Sequence, residues 1–129
     1  SKFLNMPLNL HPKYFPVDSI PAAHMLISAK QSGIEITNLA NAYMKAVWVD
    51  EQNITDPATL ILIADRLELD GKELFSRSTE PQVIAEYEEN SEEAVSRNVF
   101  GTPTWIYRGE LFWGQDRLDF LARAAKSQL

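Results

Sequence analysis

The sequence predicts a mostly helical α/β chain in which one β-hairpin and a last helix follow a long all-helical block. Three observations carry that prediction. Apolar residues recur at helical spacing between residues 19 and 98. The runs TWIYR at 104–108 and ELFWG at 110–114 are short, aromatic and β-prone, and they meet at Arg108-Gly109. Gly114-Gln115-Asp116 then sets an acidic residue in the first turn of a closing helix.

The elements follow in order. Residues 1–18 contain Pro7, Pro12 and Pro16, which suit neither a helix interior nor a strand ladder, and read as an extended connector. The helical block is assigned to 19–98 and the β-β-α part to 99–129. Ser19 is placed to cap a first helix, with Pro21 in its first turn and Gly33 at its end. Leu39, Ala40, Tyr43, Met44, Val47 and Trp48 form one apolar stripe of a second. Asp56-Pro57 is a strong helix start, continued by Leu60, Ile61, Ala64 and Leu67. Asp70 opens a short helix through about Arg77. Pro81 begins a longer one with Val83, Ile84, Tyr87, Ala94 and Val95 inward. Glu86, Glu88, Glu89, Glu92 and Glu93 form its solvated face. In the last helix, Leu118, Leu121, Ala122 and Ala125 are the apolar positions.

Composition narrows the function. The chain has 129 residues, which makes one domain the default, and 45% hydrophobic residues, enough for a real core. A net charge of -6, with no basic cluster, argues against a nucleic-acid partner. No apolar run reaches the ~18–20 residues that span a bilayer, and no signal-peptide pattern is present. With no cysteine, this stretch forms no disulfide and no thiolate metal site. A cytoplasmic setting is favoured. His11 and His24 have no second ligand at metal spacing, so no metal is expected, and His24 reads as structural.

The hairpin poses a physical problem. Two strands alone are marginal in water, and their outer edges carry unpaired backbone groups. Trp105-Ile106-Tyr107 and Leu111-Phe112-Trp113 are apolar on both faces, yet residues 1–97 offer no convincing third strand. The expectation is a sheet whose first half is supplied by a segment before Ser1 or by a second copy. Self-association through the exposed edge, as a homodimer for instance, is therefore expected.

The pattern VFGTPT at 99–104 and FWGQDRLD at 112–119, following a helical block, resembles the 2-hydroxychromene-2-carboxylate isomerase and kappa-class glutathione transferase family. NLHPKYFP at 9–16, WVDEQNITDP at 48–57 and EEAVSRNVFG at 92–101 resemble its isomerase branch. The resemblance implies the C-terminal part of a DsbA-like thioredoxin fold carrying a large all-helical insertion domain. It implies that a β-α-β unit with the catalytic serine lies upstream of Ser1, leaving no catalytic residue in this chain and a fragment that is inactive alone. It also implies glutathione as cofactor and a small aromatic-derived acid as substrate, with the helical block as an apolar substrate wall.

The implied glutathione contacts are Thr102, Pro103, Trp113, Gly114, Gln115 and Asp116. With a cis Thr102-Pro103 bond, the N–H and C=O of Thr102 face a groove and can pair with the cysteinyl backbone as an added strand does. The N–H groups of Gln115 and Asp116 would take the γ-glutamyl α-carboxylate, and the Asp116 carboxylate its ammonium. The plain alternatives are a trans proline that starts a strand and an aspartate that serves only the helix dipole. Asn9, His11 and Tyr14 in the connector are further candidates for contact with glutathione or substrate, against an equally good role in anchoring the loop. Two other functions remain open: a thiol-disulfide oxidoreductase with its Cys-x-x-Cys upstream, and a non-catalytic helical binding module.

Overall fold

The computed structural model describes residues 6–126; the connector's first five residues and residues 127–129 lie outside the described residues. Its elements run α1 (Ile20–Gln31), α2 (Thr37–Trp48), α3 (Pro57–Asp65), α4 (Gly71–Arg77), α5 (Pro81–Ser96), β1 (Thr104–Tyr107), β2 (Glu110–Trp113), a 3-10 turn (Gln115–Arg117) and α6 (Leu118–Lys126). The chain forms two compact units, residues 1–87 and 88–129, with α5 running through the boundary.

The first unit is a helical cluster. Met25 and Ala29 of α1, Leu39, Tyr43, Ala46 and Val47 of α2, Leu60, Ile63 and Ala64 of α3, and Leu74 of α4 form one buried core. The helix starts follow from local chemistry. The Asp56 carboxylate accepts from the N–H groups of Ala58 (3.3 Å) and Thr59 (3.2 Å) and from the Thr59 hydroxyl (2.9 Å). Asp70 accepts from the N–H of Glu73 at 2.9 Å. Such caps satisfy donors that the helix itself leaves free. Replacing Asp56 by Ala is expected to cost about 1 kcal/mol, seen as a Tm lowered by roughly 4 °C, while Asp56→Asn keeps most of the cap.

Several details differ from the sequence reading. Ser19 occupies the N-cap position of α1 but makes no capping bond; the Asp18 carboxylate instead accepts from the N–H of Ile20 at 2.9 Å. Met44 and Leu67 are exposed, and Leu67 lies beyond the end of α3. Along α5 only Val83 is fully buried; Ile84 is exposed and Val95 is 75% exposed. A helical stripe marks a face that can be buried, but a neighbour must be there to bury it.

Glu86 also departs from a simply solvated face. It accepts from Lys30 Nζ at 2.8 Å and from Gln31 Nε2 at 2.7 Å, tying α5 to α1. Those two hydrogen bonds, Lys30 first, hold its carboxyl below the ordinary carboxylate range. A carboxyl whose folded pKa is lowered stabilises the fold above its unfolded pKa, and that contribution is lost as pH falls through the folded value. Glu86→Gln is therefore expected to lower stability slightly at neutral pH, by no more than an exposed pair contributes, and to leave it unchanged in acid, flattening the acid limb of a stability-versus-pH curve.

In the second unit, β1 and β2 pair antiparallel in the register Thr104↔Trp113, Trp105↔Phe112, Ile106↔Leu111 and Tyr107↔Glu110. Arg108 (φ 52) and Gly109 (φ 85) both take the left-handed conformation of a tight two-residue hairpin turn. Among the described residues the sheet has these two strands alone. Phe112 is buried, the residues of β1 are half-buried and Trp113 is exposed, so the hairpin is covered less than its apolar sequence led us to expect. α6 contacts both strands. Its inward positions are Leu121 and Ala124; Leu118, Ala122 and Ala125 are exposed. No helix among the described residues is long and apolar enough to cross a membrane.

Candidate functional site

The segment before β1 and the segment after β2 meet, because the hairpin returns the chain to its own start. Pro103 and Gly114 flank the terminal Thr104↔Trp113 pair, and the N–H of Gly114 donates to the C=O of Pro103 at 2.9 Å. This brings Gly101, Thr102 and Pro103 beside Trp113, Gly114, Gln115 and Asp116. The Thr102-Pro103 peptide bond is cis, as the resemblance implied. Thr102 is exposed, and none of the described residues hydrogen-bonds to its backbone. Thr104 Oγ1 donates to the C=O of Gly101 and pins the approach to β1.

Two glycines are required here. A Cβ at Gly101 would lie 2.5 Å from Trp113 Nε1 and 3.1 Å from its Cε2, so the indole stands directly over the Gly101 backbone. Phe100, 70% exposed, meets the 51% exposed Trp113 with ring centroids 5.1 Å apart and planes tilted by 60°. Gly114 takes φ 98 and ψ 147, a conformation that side chains rarely adopt. A Cβ there would meet Asp116 Oδ1 at 2.5 Å.

The end of the site differs from expectation in one respect. Gln115 and Asp116 do not open the α-helix; they open a 3-10 turn closed by the N–H of Arg117 donating to the C=O of Gly114 at 3.0 Å, and α6 begins at Leu118. The first N–H groups of such a turn have no intrahelical acceptor, so Gln115 and Asp116 still present donors outward. The Asp116 side chain is 75% exposed, and its Oδ2 lies 3.7 Å from Arg117 Nε, an exposed pair of small energetic weight. Together the segment offers an exposed strand-like backbone, a carboxylate, outward N–H groups and an aromatic surface.

The other candidates fall in the first unit. Asn9 anchors the connector: its backbone N–H donates to the C=O of Trp48 at 2.7 Å and its Nδ2 to the C=O of Val49 at 3.0 Å. Tyr14 is half-buried, with the Lys13 ammonium 5.1 Å from its ring centroid, and His11 is exposed. His24 meets the Tyr87 ring edge-on at 5.0 Å. Sequence reasoning passed over Phe100 and Arg117, although both lie within the two motifs that carried the resemblance. The signal available was membership of VFGTPT and FWGQDRLD; the ring contact and the ion pair were not legible.

The profile of a family described as DSBA-like thioredoxin domain matches residues 1–126. The chain belongs to the DSBA-like thioredoxin domain family. Within that family its relatives include the 2-hydroxychromene-2-carboxylate isomerase of Pseudomonas putida, 31% identical over 121 residues, covering 92% of this chain and 58% of the relative. The enzyme of the same name from Pseudomonas sp. (strain C18) is 30% identical over 84 residues, covering 65% of this chain and 40% of that protein. A solved selenomethionine structure of 2-hydroxychromene-2-carboxylate isomerase (HCCA isomerase) superposes with a TM-score of 0.68 at 27% identity, over 98% of this chain and 60% of that one. The thioredoxin-like, mostly helical α/β fold is thereby shown. The chain spans 40% to 58% of the length of these two curated relatives.

Proposed function

We propose that the protein carrying this chain is a glutathione-dependent isomerase acting on small aromatic-derived acids, in the manner of 2-hydroxychromene-2-carboxylate isomerase. The observation that carries the reading is the junction of Thr102-Pro103 with Gly114-Gln115-Asp116 through the 2.9 Å hydrogen bond between Gly114 and Pro103. That junction offers what a γ-glutamyl peptide needs: a backbone edge for the cysteinyl residue, N–H donors for the α-carboxylate, and the Asp116 carboxylate for the ammonium. Trp113 would pack along the tripeptide. The similarity to isomerases supports the reaction class.

Glutathione, when bound, would supply a thiolate able to add reversibly to an unsaturated substrate and so permit rotation about the former double bond. The residues named here bind and orient glutathione; activation of the thiol is assigned to none of them. Interconversion of 2-hydroxychromene-2-carboxylate, followed by absorbance, is expected to depend on glutathione and to be unsupported by a thiol lacking the γ-glutamyl group. Equal rates without glutathione would refute the proposal. We further propose that the hairpin edge pairs with a second copy, and sedimentation velocity should then show a dimer; a monomer at all concentrations would count against it.

A further inference from the structure

The first unit contains an apolar recess of about 370 Å³ lined by the connector, α1, α2 and Ile54. Ala22, Tyr43, Val47 and Ile54 are its buried lining residues, Ala23 and Ala40 are partly buried, and Phe15 and Met44 are exposed. Phe15 leans on Trp48 with centroids 4.8 Å apart. The three alanines leave space that larger side chains would have filled. Native interiors hold few voids larger than a water molecule, and recesses of several hundred Å³ with apolar walls are the usual form of a small-molecule site.

The lining also states what the occupant must be. No charged side chain lines the recess, and its two polar side chains are Ser19 and Tyr43. The Tyr43 hydroxyl is turned toward Met25 Sδ (3.4 Å) and the C=O of Leu60 (3.5 Å), and burial pushes its pKa far above the ordinary tyrosine range. Ser19 lines the recess and its hydroxyl makes no capping bond. A carboxylate moved into such surroundings would lose its hydration with no cation to replace it. Volume sets the size: a cavity of about 150 Å³ accepts benzene, so this one has room for two rings.

We propose that this recess binds an uncharged two-ring aromatic molecule bearing one hydroxyl or carbonyl group, held by apolar contact and a single hydrogen bond to Ser19. None of the residues that line the recess is among those assigned to glutathione, and the proposal does not depend on that assignment. The test is NMR titration with 4-phenylphenol and, in parallel, biphenyl-4-carboxylate, reading the three tryptophan indole N–H signals. The Trp48 signal is expected to shift saturably with 4-phenylphenol while those of Trp105 and Trp113 stay still. The carboxylate should bind at least about tenfold more weakly. Ala23→Phe, which fills part of the recess, should abolish the Trp48 shift; if that variant fails to fold, Ala40→Leu serves the same purpose. Absence of a saturable Trp48 shift in the unaltered protein, or equal binding of the carboxylate, would overturn the proposal.

Discussion

Replacing Gly71 by alanine is expected to destabilise the helical unit by about 2–3 kcal/mol, the scale of overpacking a tight contact. In the abstract the change should help, because alanine is the better helix former and narrows the unfolded ensemble. The local geometry reverses that sign. Gly71 is buried where α4 crosses α3, and a Cβ there would stand 2.4 Å from the C=O oxygen of Ile61, 3.0 Å from its Cα and 2.8 Å from Asp65 Oδ1. Two of these atoms are backbone and cannot swing aside. The third accepts from the Gly71 N–H at 3.0 Å, so displacing it also loosens the corner between the helices. α3 and α4 would have to separate, and Leu60, Ala64 and Leu74 would lose packing together. A urea midpoint lowered by roughly 1–2 M, at unchanged slope, is the expected reading. An unchanged midpoint would mean that the two helices are not so closely apposed.

Gly114→Ala is expected to have the largest effect on the site for its size. The backbone at φ 98 and ψ 147 is close to a region reserved for glycine, which places the local cost at about 1–3 kcal/mol. The added methyl would also fall 2.5 Å from Asp116 Oδ1, so the carboxylate must leave its position. Relief of either conflict disturbs the hydrogen bond from Gly114 to Pro103, the link that holds Thr102 beside the 3-10 turn. Glutathione affinity should fall at least tenfold, or about 1.4 kcal/mol, while the urea midpoint of the helical unit stays within error. Loss of both together would show that Gly114 acts through global folding instead of through the site.

The parts of the fold that were legible in the sequence are those fixed by local chemistry. Asp56-Pro57 and Asp70 start helices because a short carboxylate reaches N–H groups two or three residues ahead, whatever the rest of the chain does. Arg108-Gly109 turns the hairpin because both positions accept the left-handed conformation. What was not legible depends on distant partners. Ser19 reads as a cap, yet its neighbour Asp18 takes that role from one residue earlier. Ile84 and Val95 lie on an apolar stripe and remain exposed, since a stripe does not say what faces it. Glu86 belongs to an acidic run but finds Lys30 and Gln31, more than fifty residues away. At the site, the family resemblance pointed to Thr102, Gln115 and Asp116. The Gly114–Pro103 bond that joins them and the Phe100–Trp113 contact needed the hairpin register, which alternation alone does not fix.

Our proposal joins Thr102-Pro103 and Gly114-Gln115-Asp116 in one glutathione site. Its test is calorimetric titration of reduced glutathione into the protein and into its Asp116→Ala variant. The expected result is saturable binding at one site in the protein, weakened at least tenfold in the variant at unchanged Tm, since Asp116 is exposed and its partner Arg117 contributes little to stability. Equal affinity in the two proteins would contradict the assignment.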